Sequence, residues 1–366
     1  MVEWKKLGEV CKVLRGKRLT KSQLNESEGY PVLHGGSTPM GYYEEFNRKA
    51  NTTVVVNTGN AGCVFFYDKE FWSSDACFSL YPNKEIIDKF LYLYVYGCER
   101  ILKGKIRAGA MPTIDAKAVE DLLIPIPPLY EQQRIVSILD TFTSSIANLK
   151  QQIEERRKQY EYERDRLLDL ERKEGVEMKK LGEIAKYRRG SFPQPYGNKE
   201  WYNGEGAMPF VQVADVEEYG RKLKDQTKQF ISKLAMPKSV FVPIGTVIVT
   251  LQGSIGKVAI TQYDSYIDRT LGIFESFRID INKVYFALQL EKIFSIKREK
   301  ARGGTIKTIT KEEFTNFEIP VPSLAEQSRI VSILDTFEAS IKNLEEQLAL
   351  REKQYEYYRN QLLTFE

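Results

Sequence analysis

The chain has 366 residues, 54 Lys and Arg against 50 Asp and Glu for a net charge of +4, one histidine, four cysteines and 42% hydrophobic residues. That length suits two domains of ordinary size, each able to bury its own core. The near-balance of charge is compatible with a nucleic-acid partner without demanding one, so any charge that matters is local.

A single histidine, His34, excludes a histidine-based metal cage and any His-dependent triad repeated along the chain. Cys11, Cys63, Cys77 and Cys98 all lie in the first half and show no CxxC spacing. This pattern reads as reduced, structural cysteine in a cytosolic protein. The opening Met1-Val2-Glu3-Trp4-Lys5-Lys6 has no apolar signal core, and no run approaches 18 apolar residues. Neither a leader nor a membrane span is therefore expected, and the expected location is cytoplasmic.

The sequence repeats itself along its length. Leu7-Gly8-Glu9-Val10 returns as Leu181-Gly182-Glu183-Ile184, and Arg15-Gly16 returns as Arg189-Gly190. Short β-branched runs predict strands at 52–56, 63–67, 210–213, 246–250 and 257–261. Helical spacing predicts helices at 84–102 and 282–297. Gly59-Asn60-Ala61-Gly62 matches Gly253-Ser254-Ile255-Gly256, and residues 109–114 echo 304–309. Ile124-Pro125-Ile126-Pro127-Pro128-Leu129 returns as Ile319-Pro320-Val321-Pro322-Ser323-Leu324. The second variable region is about 20 residues longer than the first, because the offset between matches grows from 174 to 195.

Residues 131–171 and 326–366 then match at 26 of 41 positions. A self-match at fixed offset marks internal duplication. Apolar residues recur at alternating spacings of four and three: Ile135, Leu139, Phe142, Ile146 and Leu149 in the first copy, and Ile330, Leu334, Phe337, Ile341 and Leu344 in the second. A sustained 3.5-residue repeat predicts coiled-coil helices. At about 1.5 Å per residue each is ~60 Å long. Proline bars growth upstream, and Gly175 offers a stop after the first. A pseudo-two-fold relation between the halves would make the two helices pair antiparallel.

No chemistry-bearing motif stands out. Gly253 to Lys257 is not a phosphate-binding loop, since its spacing is short and no Ser or Thr follows the lysine. Pro127-Pro128-Leu129-Tyr130 lacks the amide of an adenine-methylation motif. Most carboxylates fall on helix faces, so no catalytic residue and no metal ligand is assigned.

Basic residues beside glycines recur in both halves. Lys12, Arg15, Lys17, Arg18 and Lys21 open the first domain, and Lys186, Arg188 and Arg189 open the second. Lys105 and Arg107 match Lys300, Arg302 and Lys307. Such residues suit phosphate contacts. Polar side chains in neighbouring glycine-rich turns suit base edges; the candidates are His34, Ser37, Thr38, Asn57 and Asn60 in the first half, and Gln252, Ser254, Lys257 and Thr305 in the second. Taken singly, each basic pair is more often solvated surface. Recurrence in both halves is what raises them.

The twin Ile-Pro-x-Pro-x-Leu-x-Glu-Gln-x-Arg-Ile-Val segments at 124–136 and 319–331, with residues 253–258 and Ser74-Asp75-Ala76, resemble the specificity subunits of type I restriction-modification systems. The resemblance covers essentially the whole chain. It implies an α+β fold: two globular α/β target-recognition domains (1–125 and 176–320) separated by two long antiparallel coiled-coil helices (126–175 and 321–366), with an internal pseudo-two-fold repeat. It implies a non-catalytic protein that binds double-stranded DNA, each domain reading half of an interrupted, asymmetric site. The helices would set the spacing and dock two methyltransferase subunits for adenine-N6 methylation, with restriction subunits in a full enzyme. No cofactor is expected on this chain; S-adenosylmethionine, and ATP with Mg²⁺ for restriction, would sit on partners. The competing readings are a specificity subunit of a type IIB-like enzyme, a self-sufficient methyltransferase or nuclease, and a coiled-coil scaffold without DNA readout.

Overall fold

The computed structural model describes residues 2–36, 38–107, 109, 111–217, 220–300 and 311–365. The chain divides into two units, one formed by Met1–Lys150 with Glu346–Glu366 and the other by Gln151–Glu345.

In the first unit, four antiparallel strands lie in the order Cys11–Arg15, Cys77–Pro82, Thr52–Val56, Val64–Tyr67. A smaller sheet sets Tyr30–Leu33 between antiparallel Tyr42–Tyr43 and parallel Trp72–Ser73. The second unit repeats the plan. Its first sheet runs Ala185–Arg189, Leu271–Phe277, Val247–Thr250, Val258–Ile260. Its second sets Met208–Val211 between antiparallel Gln229–Ile231 and parallel Ser265–Ile267, with Val240–Val242 beyond. The duplication read from sequence is thus a duplication of strand order. Val54, Val55 and Val56 are all buried, as are Val247, Ile248 and Val249. These strands lie at sheet centres, where both faces are covered, so they read as continuous apolar runs rather than alternating ones.

The proline-bearing repeats form strands, each the second half of a two-stranded ribbon. Leu123–Ile126 pairs antiparallel with Glu3–Lys6, and Glu318–Val321 with Glu177–Lys180. Pro125 and Pro320 fit because a two-stranded ribbon consists only of edges. One helical turn follows each N-terminal strand, and its glutamate caps it: the Lys6 N–H donates to Glu9 Oε2 (3.2 Å) and the Lys180 N–H to Glu183 Oε2 (2.8 Å).

Each ribbon leads into a long helix, Leu129–Leu168 or Leu324–Leu362. Within each unit the helix segments pair antiparallel. In the first unit Lys150 meets Glu352 (3.0 Å) while Phe142 stacks on Tyr358 (5.2 Å between centroids), so the partner number rises as the residue number falls. In the second unit the Tyr160 hydroxyl donates to Glu338 (2.7 Å), and Arg157 pairs with Glu345 (2.6 Å). Of the expected seam residues, Phe142 makes the stack just described, while Ile135, Leu139, Ile330 and Leu334 enter the cores of their units. Ile135, Leu139, Ile330 and Leu334 are fully buried. Phe142, Ile146, Leu149, Phe337, Ile341 and Leu344 are only half-buried, as a two-stranded coil leaves them.

The first helix stops before the predicted Gly175. The Leu168 carbonyl accepts hydrogen bonds from Gln289 Nε2 (3.3 Å) and Lys292 Nζ (3.1 Å) on the helix Lys283–Lys300, which satisfies the C-terminal end by tertiary contact. The helix predicted at 84–102 is broken at Cys98 into Asp88–Gly97 and Glu99–Lys103. No helix among the described residues is long and apolar enough to cross a membrane.

Candidate nucleic-acid interface

In the first domain, four strands end at one edge. Arg15, Leu33, Val56 and Ser73 are their last residues, and the chain segment 74–77 ties them together. The Gly16 N–H donates to the Cys77 carbonyl (3.1 Å) and the Lys17 N–H to the Ser73 carbonyl (2.9 Å). The Ser74 N–H donates to the Leu33 carbonyl (3.0 Å), and the Asn57 N–H to the Ala76 carbonyl (2.9 Å). The turn at 58–60 sits on the loop after Leu33, where the Asn60 N–H donates to the Gly35 carbonyl (2.9 Å). Thr58 bridges to Thr113, and Thr113 to Arg107, which brings the segment before the linker to the same edge.

This crossing explains the recurrence of Arg-Gly. A Cβ on Gly16 would lie 2.1 Å from the Ser73 carbonyl oxygen, and one on Gly190 would lie 2.3 Å from that of Ile267. Only glycine permits backbones to pass that closely.

Arg15, Lys17, Arg18, His34, Thr38, Asn60, Lys105 and Arg107 are exposed. The structure therefore gathers Arg15, Lys17, His34, Asn60 and Arg107 around one edge. Arg15 Nε donates to the Asp75 carbonyl (2.8 Å), which aims the guanidinium. His34 Nδ1 lies 3.1 Å from Ser74 Oγ. Arg107 is paired with Asp115. Asn57 sits differently: it is 4% exposed, its Nδ2 donates to the Asp75 carbonyl (3.2 Å), and its place is beneath the loops rather than on them. Ser37 lies outside the described residues.

The second domain repeats this edge. The Gly190 N–H donates to the Leu271 carbonyl (3.0 Å), and the Ser191 N–H to that of Ile267 (3.1 Å). The Asp268 N–H donates to the Val211 carbonyl (3.0 Å), and the Leu251 N–H to that of Thr270 (2.8 Å). Arg189 and Ser254 are exposed there, and Gln252 is half-exposed. Arg188 faces Glu275 (3.7 Å), which already engages Lys186 (3.1 Å). Lys257 is half-buried on the return arm of the turn, its N–H donating to Thr250 Oγ1 (2.9 Å). Arg302, Thr305 and Lys307, the side chain of Lys300, and the 304–309 repeat lie outside the described residues.

Several residues at this edge escaped the sequence reading. Gln212 follows Val211 as His34 follows Leu33, because both strands end in the same parallel register, Leu33 opposite Ser73 and Val211 opposite Ile267. Buried Asp268 takes the place of Ser74. Its carboxylate accepts from the Tyr196 hydroxyl (2.6 Å), while Arg269 lies over the Tyr196 ring at 5.1 Å. Burial, then the hydrogen bond to Asp268 and its charge, pushes the Tyr196 hydroxyl up to about 12, so it stays a donor at neutral pH. In the first domain Arg48 braces the edge strand, donating to Ser79 Oγ (2.9 Å) and to the Arg15 carbonyl (3.0 Å).

Burial also pushes the thiols of Cys11 and Cys77 up to about 12, which makes them inert. No group of three or more His, Cys, Asp or Glu side chains suited to a metal occurs among the described residues.

The family model for the type I restriction modification DNA specificity domain matches residues 1–156 and 173–350. The chain is 29% identical over 389 residues to the type I restriction enzyme EcoR124I/EcoR124II specificity subunit of Escherichia coli, covering 100% of this chain and 94% of that protein. Its fold is similar to the S subunit of a type I restriction-modification system from M. genitalium, with a TM-score of 0.64, 17% identity, and 100% and 97% of the two chains covered. A structure from work on complex assembly and conformational transition of the type I R-M system matches with a TM-score of 0.65, 20% identity, and 99% and 97% coverage.

Proposed function

The chain belongs to the type I restriction-modification DNA specificity family, and from that membership we propose how it works. It is a non-catalytic subunit of a methyltransferase or endonuclease assembly. Each recognition domain, within 1–125 and 176–320, binds one half of an interrupted, asymmetric double-stranded DNA target. The long helices set the half-site spacing and dock two methyltransferase subunits, with restriction subunits in the full enzyme. The target adenine would be flipped into a partner's pocket, where S-adenosylmethionine supplies the methyl group. The two domains then supply binding and register.

The observation that carries this reading is the doubled edge. One backbone frame occurs twice, with a basic residue ending the same strand (Arg15, Arg189) and different polar residues in the loops. Phosphate contacts fix position without reading sequence, whereas groups at base edges specify it. A repeated cation beside divergent loops is what two different half-sites require.

The test is an exchange of residues 178–320 for the equivalent domain of a relative, followed by long-read methylation sequencing of the host. The expected result is an interrupted N6-methyladenine motif with one half altered and the other kept. A motif changed in both halves, or no motif dependent on this gene, would overturn the proposal.

A further inference from the structure

We propose that Gln212 contacts a base edge for the second domain, at the position that His34 occupies in the first. The inference rests on the function proposed above and gives it a residue that alignment of the halves does not find. The offset between matching residues is 174 at Arg15 and Arg189 but 178 at His34 and Gln212. It is 194 at Ser73 and Ile267. The added residues of the second domain fall on both sides of Gln212, which hides it.

Three features place it. The strand before it ends in the same register as the strand before His34, each held by a 3.0 Å bond from the segment opposite. The glycine turn of the second domain lies against the same loop, since a Cβ on Gly253 would be 3.7 Å from Val213 Cγ1, as Asn60 lies against Gly35 in the first. The loop is also fixed from beneath. The Gln212 N–H donates to Asp215 Oδ2 (2.8 Å), and fully buried Asp215 also accepts from the Lys228 N–H at Oδ1 (2.8 Å). A reading residue needs a backbone held in place, and this one has it.

The chemistry follows. A carboxamide offers a donor and an acceptor on one plane, which matches N6 and N7 of adenine. His34 presents a ring whose Nδ1 is engaged by Ser74, leaving Nε2 as its outward group. The same position therefore reads different edges in the two halves. Gln252 and Ser254 flank Gly253, whose turn lies against Val213, the residue after Gln212, and exposed Arg189 ends the strand Ala185–Arg189 of the same domain.

The experiment uses this chain co-expressed with its methyltransferase subunit. Genome-wide methylated motifs are read for the wild type, Gln212→Ala, Gln212→Asn and His34→Ala, and methylation rates are measured on duplexes varied at each motif position. Gln212→Ala is expected to relax one base position in one half-site, with discrimination there falling by about tenfold or more and the other half unchanged. His34→Ala should relax a position only in the opposite half. An unchanged motif with Gln212→Ala would overturn the inference. So would a uniform loss of rate on all sequences with a shallower salt dependence, which marks a phosphate contact. Absence of any interrupted motif in the wild type would instead remove the proposed function itself.

Discussion

The two long helices are fastened to their domains by the same residue, and replacing it should show how much the fastening contributes. Gln132 is fully buried. Its Oε1 accepts from the Ile87 N–H (2.9 Å), and its Nε2 donates to the carbonyls of Glu85 (2.8 Å) and Pro127 (2.9 Å). Gln327 repeats this, accepting from the Asn282 N–H (2.8 Å) and donating to the Pro322 carbonyl (2.8 Å). In Gln132→Leu the volume is nearly kept, so the loss is polar. The Pro127 carbonyl and Ile87 amide lose their partner away from water, at about 1–3 kcal/mol each. Glu85 is exposed and can turn to solvent. The expected cost is about 3 kcal/mol, read as urea unfolding of the first unit and as roughly 100-fold faster hydrogen exchange at the Ile87 amide. Gln133→Leu, on the exposed face, is the control and should move neither. If Gln132→Leu costs under about 0.5 kcal/mol and the Ile87 amide exchanges as before, the latch does not hold the helix.

Other consequences follow from burial and charge. Leu334→Ala, at a fully buried seam position, should cost about 2–5 kcal/mol in urea unfolding, while Leu350→Ala, 58% exposed, should stay within about 0.5 kcal/mol. Gly190→Ala places a methyl group against the Ile267 carbonyl, so it should destabilise the second domain by about 1–3 kcal/mol and leave exchange in the first domain unchanged. Burial pushes the Glu291 carboxyl up to about 6 against the pull of Arg221, with Glu338 raising it further and Arg164 opposing. A folded acid above its ordinary value binds more protons than the unfolded chain, so stability falls as pH rises from about 4.5 to 6 and levels beyond. Glu291→Gln should remove that component from the stability–pH curve; an identical slope in both proteins would refute the assignment.

The frame was legible because its residues recur. The seam leucines, the proline ribbons and the Arg-Gly crossings each appear twice in the sequence, and repetition is visible without structure. Strands were legible from β-branched runs: Thr52–Val56 runs as expected, whereas the run 210–213 is shifted to Met208–Val211 and 257–261 is shortened to Val258–Ile260. What escaped the sequence depends on tertiary register. Gln212 carries no local signal; only the parallel pairing of Val211 with Ile267 makes it the partner of His34. Asn57 has the composition of a surface turn residue, but burial under segment 74–77 assigns it to the support. The end of the first helix was hidden for a similar reason, since its cap comes from Gln289 and Lys292, far away in sequence.

The buried packing adds a constraint on how the two edges can act together. Ile135 and Leu139 pack with the sheet residues Val55 and Leu80 in one core cluster of the first unit. Ile330, the counterpart of Ile135 in the second helix, packs with Leu334, Tyr285 and Leu288 in a cluster of the second unit. Every described core cluster falls within a single unit. Among the described residues the apolar cores beneath the two edges share no member, and effects at sites without shared partners add. For a double variant His34→Ala with Gln212→Ala, the loss of discrimination should equal the product of the two single losses, measured as methylation rates on duplexes mismatched in either half or both. A double effect much smaller or larger than that product would mean that one edge senses the other, through the DNA or through the methyltransferase subunits, and that the halves are not independent readers.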